Sequence, residues 1–204
     1  KVSLHGSLGK QDMMRFLTDV PLRGKTRWPN YPLQVDGVVQ GNMERIRLAG
    51  VLLKLPTAFR VRLDGTIAHL IQPKLLQGDL DLRAQTYNLA FLSAFMNGGQ
   101  ASQVKIPRNI SVEGNVKFDK ETYATRFIAR QGRGSVNGTL TLDARRMAYK
   151  ARLTAQQLPV QQYLPNMGLR PFTGSIDASG VGTDFLVPET RFNAKVRIAR
   201  FGYG

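Results

Sequence analysis

Residues 110–118 read Ile-Ser-Val-Glu-Gly-Asn-Val-Lys-Phe, with an apolar residue or glycine at every even position and a polar residue at every odd position. Successive side chains of a β-strand point to opposite faces, so this segment predicts a strand with one apolar and one polar face. The same alternation returns at 136–143 (Val-Asn-Gly-Thr-Leu-Thr-Leu-Asp) and at 147–154 (Met-Ala-Tyr-Lys-Ala-Arg-Leu-Thr). It is typical of antiparallel sheets, since buried parallel strands are apolar throughout.

The whole chain carries ten or eleven such segments, separated by short turns. They lie near 2–8, 32–40, 43–55, 57–68, 78–87, 110–118, 122–131, 134–143, 147–156, 172–181 and 191–201. Strands joined by short turns pair as hairpins, so the order predicts a meander. Apolar residues at helical spacing predict three short helices, at Gln11–Leu17, Leu89–Met96 and Val160–Leu164. We interpret residues 1–204 as one repetitive β-rich segment, with looser sub-units of about 1–103 and 104–204.

A sheet with one apolar face must either cover that face with a second layer or curl around it. Glycines recur inside the strands at positions assigned to the apolar face, where they would allow each strand to bend. These glycines are Gly37, Gly50, Gly114, Gly138 and Gly180. The predicted fold class is therefore all-β with short helices, an antiparallel meander forming a curved, trough-like sheet with an apolar interior. A closed β-sandwich produces the same alternation and is the alternative.

The composition is that of a folded chain, with 42% hydrophobic and 21% charged residues among 204. Cysteine is absent, which excludes disulfides, thiolate zinc sites and cysteine nucleophiles. No apolar run reaches the roughly 18 residues of a membrane-spanning helix. The sequence begins and ends within strand patterns, which predicts a fragment of a longer protein whose anchor lies outside it.

The sequence offers little for catalysis. Its two histidines, His5 and His69, have no partners at metal-ligand spacing. Gly24-Lys25-Thr26 resembles the end of a phosphate-binding loop, but position 19 is Asp where that motif needs glycine. Several aspartates could act as general acids or bases, yet they alternate outward or end strands beside basic residues. They are Asp36, Asp64, Asp79, Asp81, Asp143 and Asp177. We therefore expect no enzyme activity, no cofactor and no metal.

The chain has a formal net charge of +15. Basic residues recur on the polar sides of the predicted strands. Examples are Arg45, Arg47, Arg60, Arg62, Lys150, Arg152, Lys195 and Arg197. They fit a solvated face that discourages edge-to-edge aggregation, contact with anionic lipid or lipopolysaccharide, or nucleic-acid binding. Nucleic-acid readers stack bases on exposed aromatic residues. Here Phe59, Phe118, Tyr149 and Phe192 fall on the apolar side, so no nucleic-acid partner is expected.

The succession of segments resembles the AsmA-like superfamily of Gram-negative envelope proteins, which includes TamB-like translocation and assembly modules. The resemblance lies in the order of glycine-containing strands, at 35–37 (Val-Asp-Gly), 46–50 (Ile-Arg-Leu-Ala-Gly), 63–67 (Leu-Asp-Gly-Thr-Ile), 80–89, 106–107 (Ile-Pro), 112–116, 149–153 with 163–164, and 174–184. It covers most of the chain. The resemblance implies a long curved sheet with an apolar groove, a role in lipid transport between membranes or in outer-membrane assembly, and a periplasmic location with an inner-membrane anchor.

The leading hypothesis is a non-enzymatic groove that shields phospholipid acyl chains. The candidate lining residues are Val112, Val116, Phe118, Val136, Leu140, Leu142, Tyr149 and Leu153. The second hypothesis is a β-sandwich scaffold that binds an outer-membrane barrel protein by strand addition. The third is a polyanion-binding module.

Overall fold

The computed structural model describes residues 1–12, 30–42, 44–91, 106–182 and 190–202. Eleven strands account for most of them: β1 Val2–Leu8, β2 Leu33–Gly41, β3 Arg45–Leu55, β4 Phe59–Ala68, β5 Gln77–Thr86, β6 Ser111–Asp119, β7 Thr122–Gln131, β8 Gly134–Asp143, β9 Ala148–Leu158, β10 Phe172–Val181 and β11 Arg191–Arg200. A short helix, α1, spans Val160–Tyr163, and single 3-10 turns span Pro73–Leu75 and Pro165–Met167.

All eleven strands form one open, curled sheet in which each strand pairs antiparallel with its neighbours in sequence. Within the described ranges, substantial contacts between strands join sequence neighbours only, and no strand lies across another. β1 and β11 are the two edges of the sheet, and all their residues are exposed. The prediction of an all-β meander forming a curved trough is confirmed, and the sheet has a single layer instead of the two layers of a sandwich.

The pairing register explains why the sheet has two distinct faces. Val112 lies opposite Ala84 and Ala129, whereas Glu113, the next residue, lies opposite Arg83 and Ile128. The face that carries Val112 is here called the apolar face, and the face that carries Glu113 the polar face. Directly opposed side chains on one face contribute roughly 0.2–1 kcal/mol per pair, so many such pairs together hold the register.

A β-bulge in β3 corrects one sequence-based assignment. The register between β3 and β4 shifts between the pairs Leu48–Gly65 and Val51–Leu63, so β3 carries one extra residue. Gly50 takes a left-handed φ of 63° at this point. A side chain at Gly50 would meet the guanidinium of Arg62 on the polar face. Placing Gly50 on the apolar face was therefore wrong, because the extra residue moves the apolar positions from even to odd numbers.

Two other glycines make room for an aromatic ring. Phe127 in β7 lies opposite Gly114 in β6 and opposite Gly138 in β8. A Cβ added at Gly138 would lie 2.5 Å from the ring of Phe127 and 2.7 Å from Leu153. These glycines therefore admit the aromatic side chains of neighbouring strands instead of simply allowing a bend.

A small hydrophobic core closes one end of the sheet. Leu55, Ala58 and Phe91 are buried there, with Leu33 and Phe59 packed against them. Hydrophobic residues that are buried are few in the described ranges: Val51, Leu55, Ala58, Ala68, Phe91 and Ala155. In these ranges, strand pairing and partly buried side chains therefore contribute more to stability than a sealed interior does.

The predicted helix at Val160–Leu164 is confirmed by α1. Most of the predicted helices at Gln11–Leu17 and Leu89–Met96 lies outside the described residues, as does the proposed sub-unit boundary at 103/104. β5, before that boundary, pairs directly with β6, after it, so the sheet continues across the boundary. The division into two looser sub-units stays a prediction.

The close approach at Gly138 gives a stability prediction. Replacing Gly138 with Ala forces the Phe127 ring and Leu153 to move, and we expect a loss of about 1–3 kcal/mol in the free energy of unfolding. Gly6 on β1 is the matched control, since nothing lies within 4 Å of an added Cβ there. Urea unfolding followed by circular dichroism should leave Gly6→Ala near wild type. Equal effects of the two substitutions would contradict the proposed role of Gly138.

Candidate functional site: the apolar face of the sheet

The apolar face runs without a break from β1 to β11, because the register aligns apolar residues in rows across the strands. One row crosses eight strands through Leu63, Leu82, Gly114, Phe127, Gly138, Leu153, Ile176 and Val196. A second row, two residues further along each strand, crosses the same strands through Gly65, Leu80, Val116, Thr125, Leu140, Ala151, Ala178 and Ala194. A third comprises Ile67, Gly78, Phe118, Tyr123, Leu142, Tyr149, Gly180 and Phe192.

All eight residues predicted to line a groove lie on this one face. Val112, Val116 and Phe118 come from β6, and Tyr149 and Leu153 from β9. The other three, Val136, Leu140 and Leu142, come from β8. β7 pairs with both β6 and β8, and β8 pairs with β9, so these eight side chains lie on neighbouring strands of the apolar face. Whether these side chains contact a lipid stays a prediction.

Sequence reasoning missed the contribution of β7. Tyr123 and Phe127 lie on the apolar face between the predicted residues of β6 and β8. The alternation of apolar and polar residues is weak in β7, because the apolar residues Ala124 and Ile128 lie on the polar face. The signal that could have found these residues is the alignment of Phe127 with glycines in both neighbouring strands.

Small residues occupy most of the middle row across β7–β11, and this stretch is here called the furrow. Its floor residues are Thr125, Leu140, Ala151, Ala178 and Ala194, and the two adjacent rows flank it with larger side chains at every position except Gly138 and Gly180. Leu140 is the one bulky residue in that floor, and it is 39% exposed because its neighbours across the strands are small. Rows two strand positions apart are separated by roughly 7 Å, so the flanking rows stand about 13 Å apart.

Large hydrophobic side chains remain exposed at the β11 end of this face. Phe192 is 55% and Ile198 is 61% exposed. Contiguous exposed apolar surface of this kind marks an interaction site, whereas isolated exposed hydrophobic residues do not. The apolar face is therefore the candidate functional site.

The polar face is covered with charge pairs that cross the strands. Asp177 in β10 accepts from Arg152 Nε in β9 at 2.8 Å and pairs with Arg197 Nη1 in β11 at 3.4 Å. His5 pairs with Asp36 between β1 and β2. Surface pairs contribute about 0–1 kcal/mol each, so their main effect is to keep this face hydrated and the two faces chemically distinct.

Two aspartates on the polar face are held as anions. Asp64 accepts from the Arg62 Nε at 3.0 Å and from the backbone N–H of Gly50 at 2.6 Å, and these bonds lower its pKa. Asp79 accepts from Asn115 Nδ2 at 2.7 Å and pairs with Lys117 Nζ at 3.0 Å, and both interactions lower its pKa. These carboxyl groups fasten neighbouring strands together, and in the case of Asp64 they hold the β3 bulge.

The described residues contain no cluster of three or more histidine or acidic side chains able to hold a metal ion. Nor do they include a helix long and apolar enough to cross a bilayer. No protein-family model, curated protein or solved structure matches the chain. The likeness to AsmA-like proteins therefore rests on the succession of strands alone.

The lowered pKa values of Asp64 and Asp79 predict a pH dependence of stability. A group with a depressed folded-state pKa contributes stability that is present above its unfolded value, here 3.8, and is lost as the pH falls through its folded value. Between about pH 6 and about pH 3, we expect wild type to lose more stability in urea unfolding than the double variant Asp64→Asn/Asp79→Asn. Glu121→Gln, an exposed turn residue, should retain the wild-type dependence. If the stability of the double variant depended on pH as strongly as that of wild type, the lowered pKa values of Asp64 and Asp79 would be contradicted.

Proposed function

We propose that this protein is a non-enzymatic carrier or conduit for lipid, in which the apolar face shields acyl chains from water. The observation that carries the proposal is the apolar face, which continues through eleven strands in one open sheet. No described element forms a second layer over it. An exposed apolar face of this extent is costly in water unless it has a hydrophobic ligand.

The physical properties of the furrow suit hydrocarbon. Its floor and flanks carry no charged residue in β7–β11. Burying one CH₂ group contributes roughly 0.8 kcal/mol, so an acyl chain gains affinity along its length without a specific contact. Every strand offers a similar surface, so a chain can slide from one strand to the next. Sliding contact of this kind is what transport requires.

The proposed setting follows from the resemblance to AsmA-like proteins. On that basis we propose that the protein acts in the periplasm of a Gram-negative cell, in phospholipid transport between membranes or in outer-membrane assembly. Anchoring to the inner membrane would come from segments outside this sequence.

The lipid proposal can be tested with a pair of substitutions on β8. Leu140→Glu places a charge in the furrow floor, where desolvation opposes hydrocarbon binding. Thr139→Glu places the same charge on the polar face, between Arg126 and Arg152. We expect mass spectrometry of the purified protein to detect phospholipid with wild type and Thr139→Glu, and a loss of most of it with Leu140→Glu. Equal lipid content in both variants would contradict a furrow that holds acyl chains.

A second candidate function is binding of a protein partner by strand addition, with an outer-membrane barrel protein as the partner that the resemblance implies. The supporting observation is the edge strand β1, which pairs with β2 alone among the described strands and exposes Val2, Leu4 and Leu8. β11 is less suited, because Arg191, Lys195, Arg197 and Arg200 protect it by charge. If the β1 edge is used, replacing Ser3 and Ser7 with Lys should abolish binding of the outer-membrane barrel protein. Unchanged binding of that protein would contradict strand addition at β1.

A further inference from the structure

A hollow lined by three arginines lies at the end of the sheet where β7, β8, β9, β10 and β11 meet. It lies between the turn joining β7 to β8, the last residues of β9 and β11, and the segment leading into β10. Its walls include Gln131, Arg133, Gln157, Arg170, Arg200 and Phe201. No carboxylate is among the described residues that line it.

The three guanidinium groups come from separate parts of the chain. Arg133 lies in the turn between β7 and β8, and Arg200 is the last residue of β11. Arg170 is fixed by its backbone N–H, which donates to the carbonyl of Gly202 at 2.8 Å. Its side-chain stem packs against Gly202, where an added Cβ would lie 2.9 Å from Arg170 Cδ.

These arginines differ from the ion-paired arginines of the polar face. Arg62, Arg152 and Arg197 each pair with an aspartate. In the described part of the chain, Arg133, Arg170 and Arg200 take part in no ion pair. Three arginines without a described ion pair around one hollow supply positive charge and the planar donor groups that bind phosphate.

A buried amide forms the inner wall of the hollow. Gln131 is only 7% exposed, and its Nε2 donates to Gln162 Oε1 at 2.6 Å and to the Arg108 carbonyl at 3.3 Å. Its Oε1 accepts no hydrogen bond. A buried acceptor without a donor costs stability. Because a phosphate diester only accepts hydrogen bonds, this oxygen is not one of the contacts proposed below. Gln157 on the same wall holds a left-handed φ of 47°, a strained conformation of the kind found at binding sites.

The hollow is joined to the apolar face by a pair of aromatic rings. Phe201, which lines the hollow, contacts Phe172 edge to face with ring centroids 6.2 Å apart. The ring of Phe172 in turn lies over Gly174, whose partners Ala155 and Ile198 belong to the apolar face. A molecule with an anionic head in the hollow could therefore extend a hydrocarbon tail over Phe172 onto the apolar face.

We propose that the hollow formed by Arg133, Arg170 and Arg200 binds the phosphate of an anionic phospholipid headgroup whose acyl chains occupy the apolar face. This inference rests on the proposed function, since it identifies which lipid class enters the groove and where its head is held. The arginines supply charge-assisted hydrogen bonds, and the Phe201–Phe172 pair orients the molecule.

The experiment compares two triple variants with equal loss of charge. In the hollow variant, Arg133, Arg170 and Arg200 are replaced by Gln. In the control variant, Arg47, Arg60 and Arg126 are replaced by Gln; these are exposed residues of the polar face that join no described ion pair. Calorimetric titration uses soluble dihexanoyl-phosphatidylglycerol, dihexanoyl-phosphatidylcholine, uncharged dioctanoylglycerol and inorganic phosphate.

We expect wild type to prefer phosphatidylglycerol over phosphatidylcholine. The hollow variant should lose about tenfold or more of its phosphatidylglycerol affinity, and the control variant less than about threefold. Dioctanoylglycerol should bind all three proteins equally. Equal losses in both triple variants would overturn the proposal, because the effect would then belong to the overall positive charge. Inorganic phosphate that binds the hollow as tightly as phosphatidylglycerol would also overturn it, because the site would then recognise a free anion.

The same titrations separate this proposal from the proposed function. If dioctanoylglycerol binds wild type while the hollow variant keeps its full phosphatidylglycerol affinity, the headgroup site fails and the groove stands. If the hollow variant loses phosphatidylglycerol while no protein binds dioctanoylglycerol, the phosphate site stands and the acyl-chain groove fails.

Discussion

Register between neighbouring strands is the constraint on which the rest of this structure depends. A slip of one residue in any strand would turn its apolar side chains to the opposite face. The chain avoids such slips by matching apolar residues with apolar partners in strand after strand, as Val112 matches Ala84 and Ala129. Charge pairs such as Asp79 with Lys117 fasten the same register from the other face. The bulge at Gly50 changes the parity of β3 and is held by Asp64 of β4.

Two faces of opposite chemistry follow from that register. The polar face carries charge pairs that cross the strands, such as Asp177 with Arg152 and Arg197. The apolar face has no second layer of described residues over it, and small residues in its middle row leave a furrow between bulkier neighbours. Among the described residues, the hydrophobic cluster lies at one end of the sheet, around Leu55 and Phe91. The described part of the apolar face beyond it is the basis of the proposal that the protein handles hydrocarbon.

Much of this architecture could be predicted from the sequence, because a period of two is a local signal. The segment at 110–118 alone defines β6 and its two faces, and all eight groove candidates share one face for the same reason. Features that depend on alignment between strands were not predictable. Gly50 was misplaced because a bulge is visible only against β4, and Phe127 was missed because its glycine partners lie in other strands. The meeting of Arg133, Arg170 and Arg200 likewise arises only when five strands end together.

The central claim is that hydrocarbon occupies the apolar face of an open sheet. Photo-crosslinking along β8 tests it most directly, with a diazirine amino acid placed in turn at each position from Ser135 to Leu142 except Gly138 in living cells. The account predicts lipid adducts at Val136, Leu140 and Leu142, and none at Ser135, Asn137, Thr139 or Thr141. Adducts without this period of two, or crosslinks from the even positions to distant parts of the same chain, would contradict it, because the apolar face would then be unused or sealed by the protein itself.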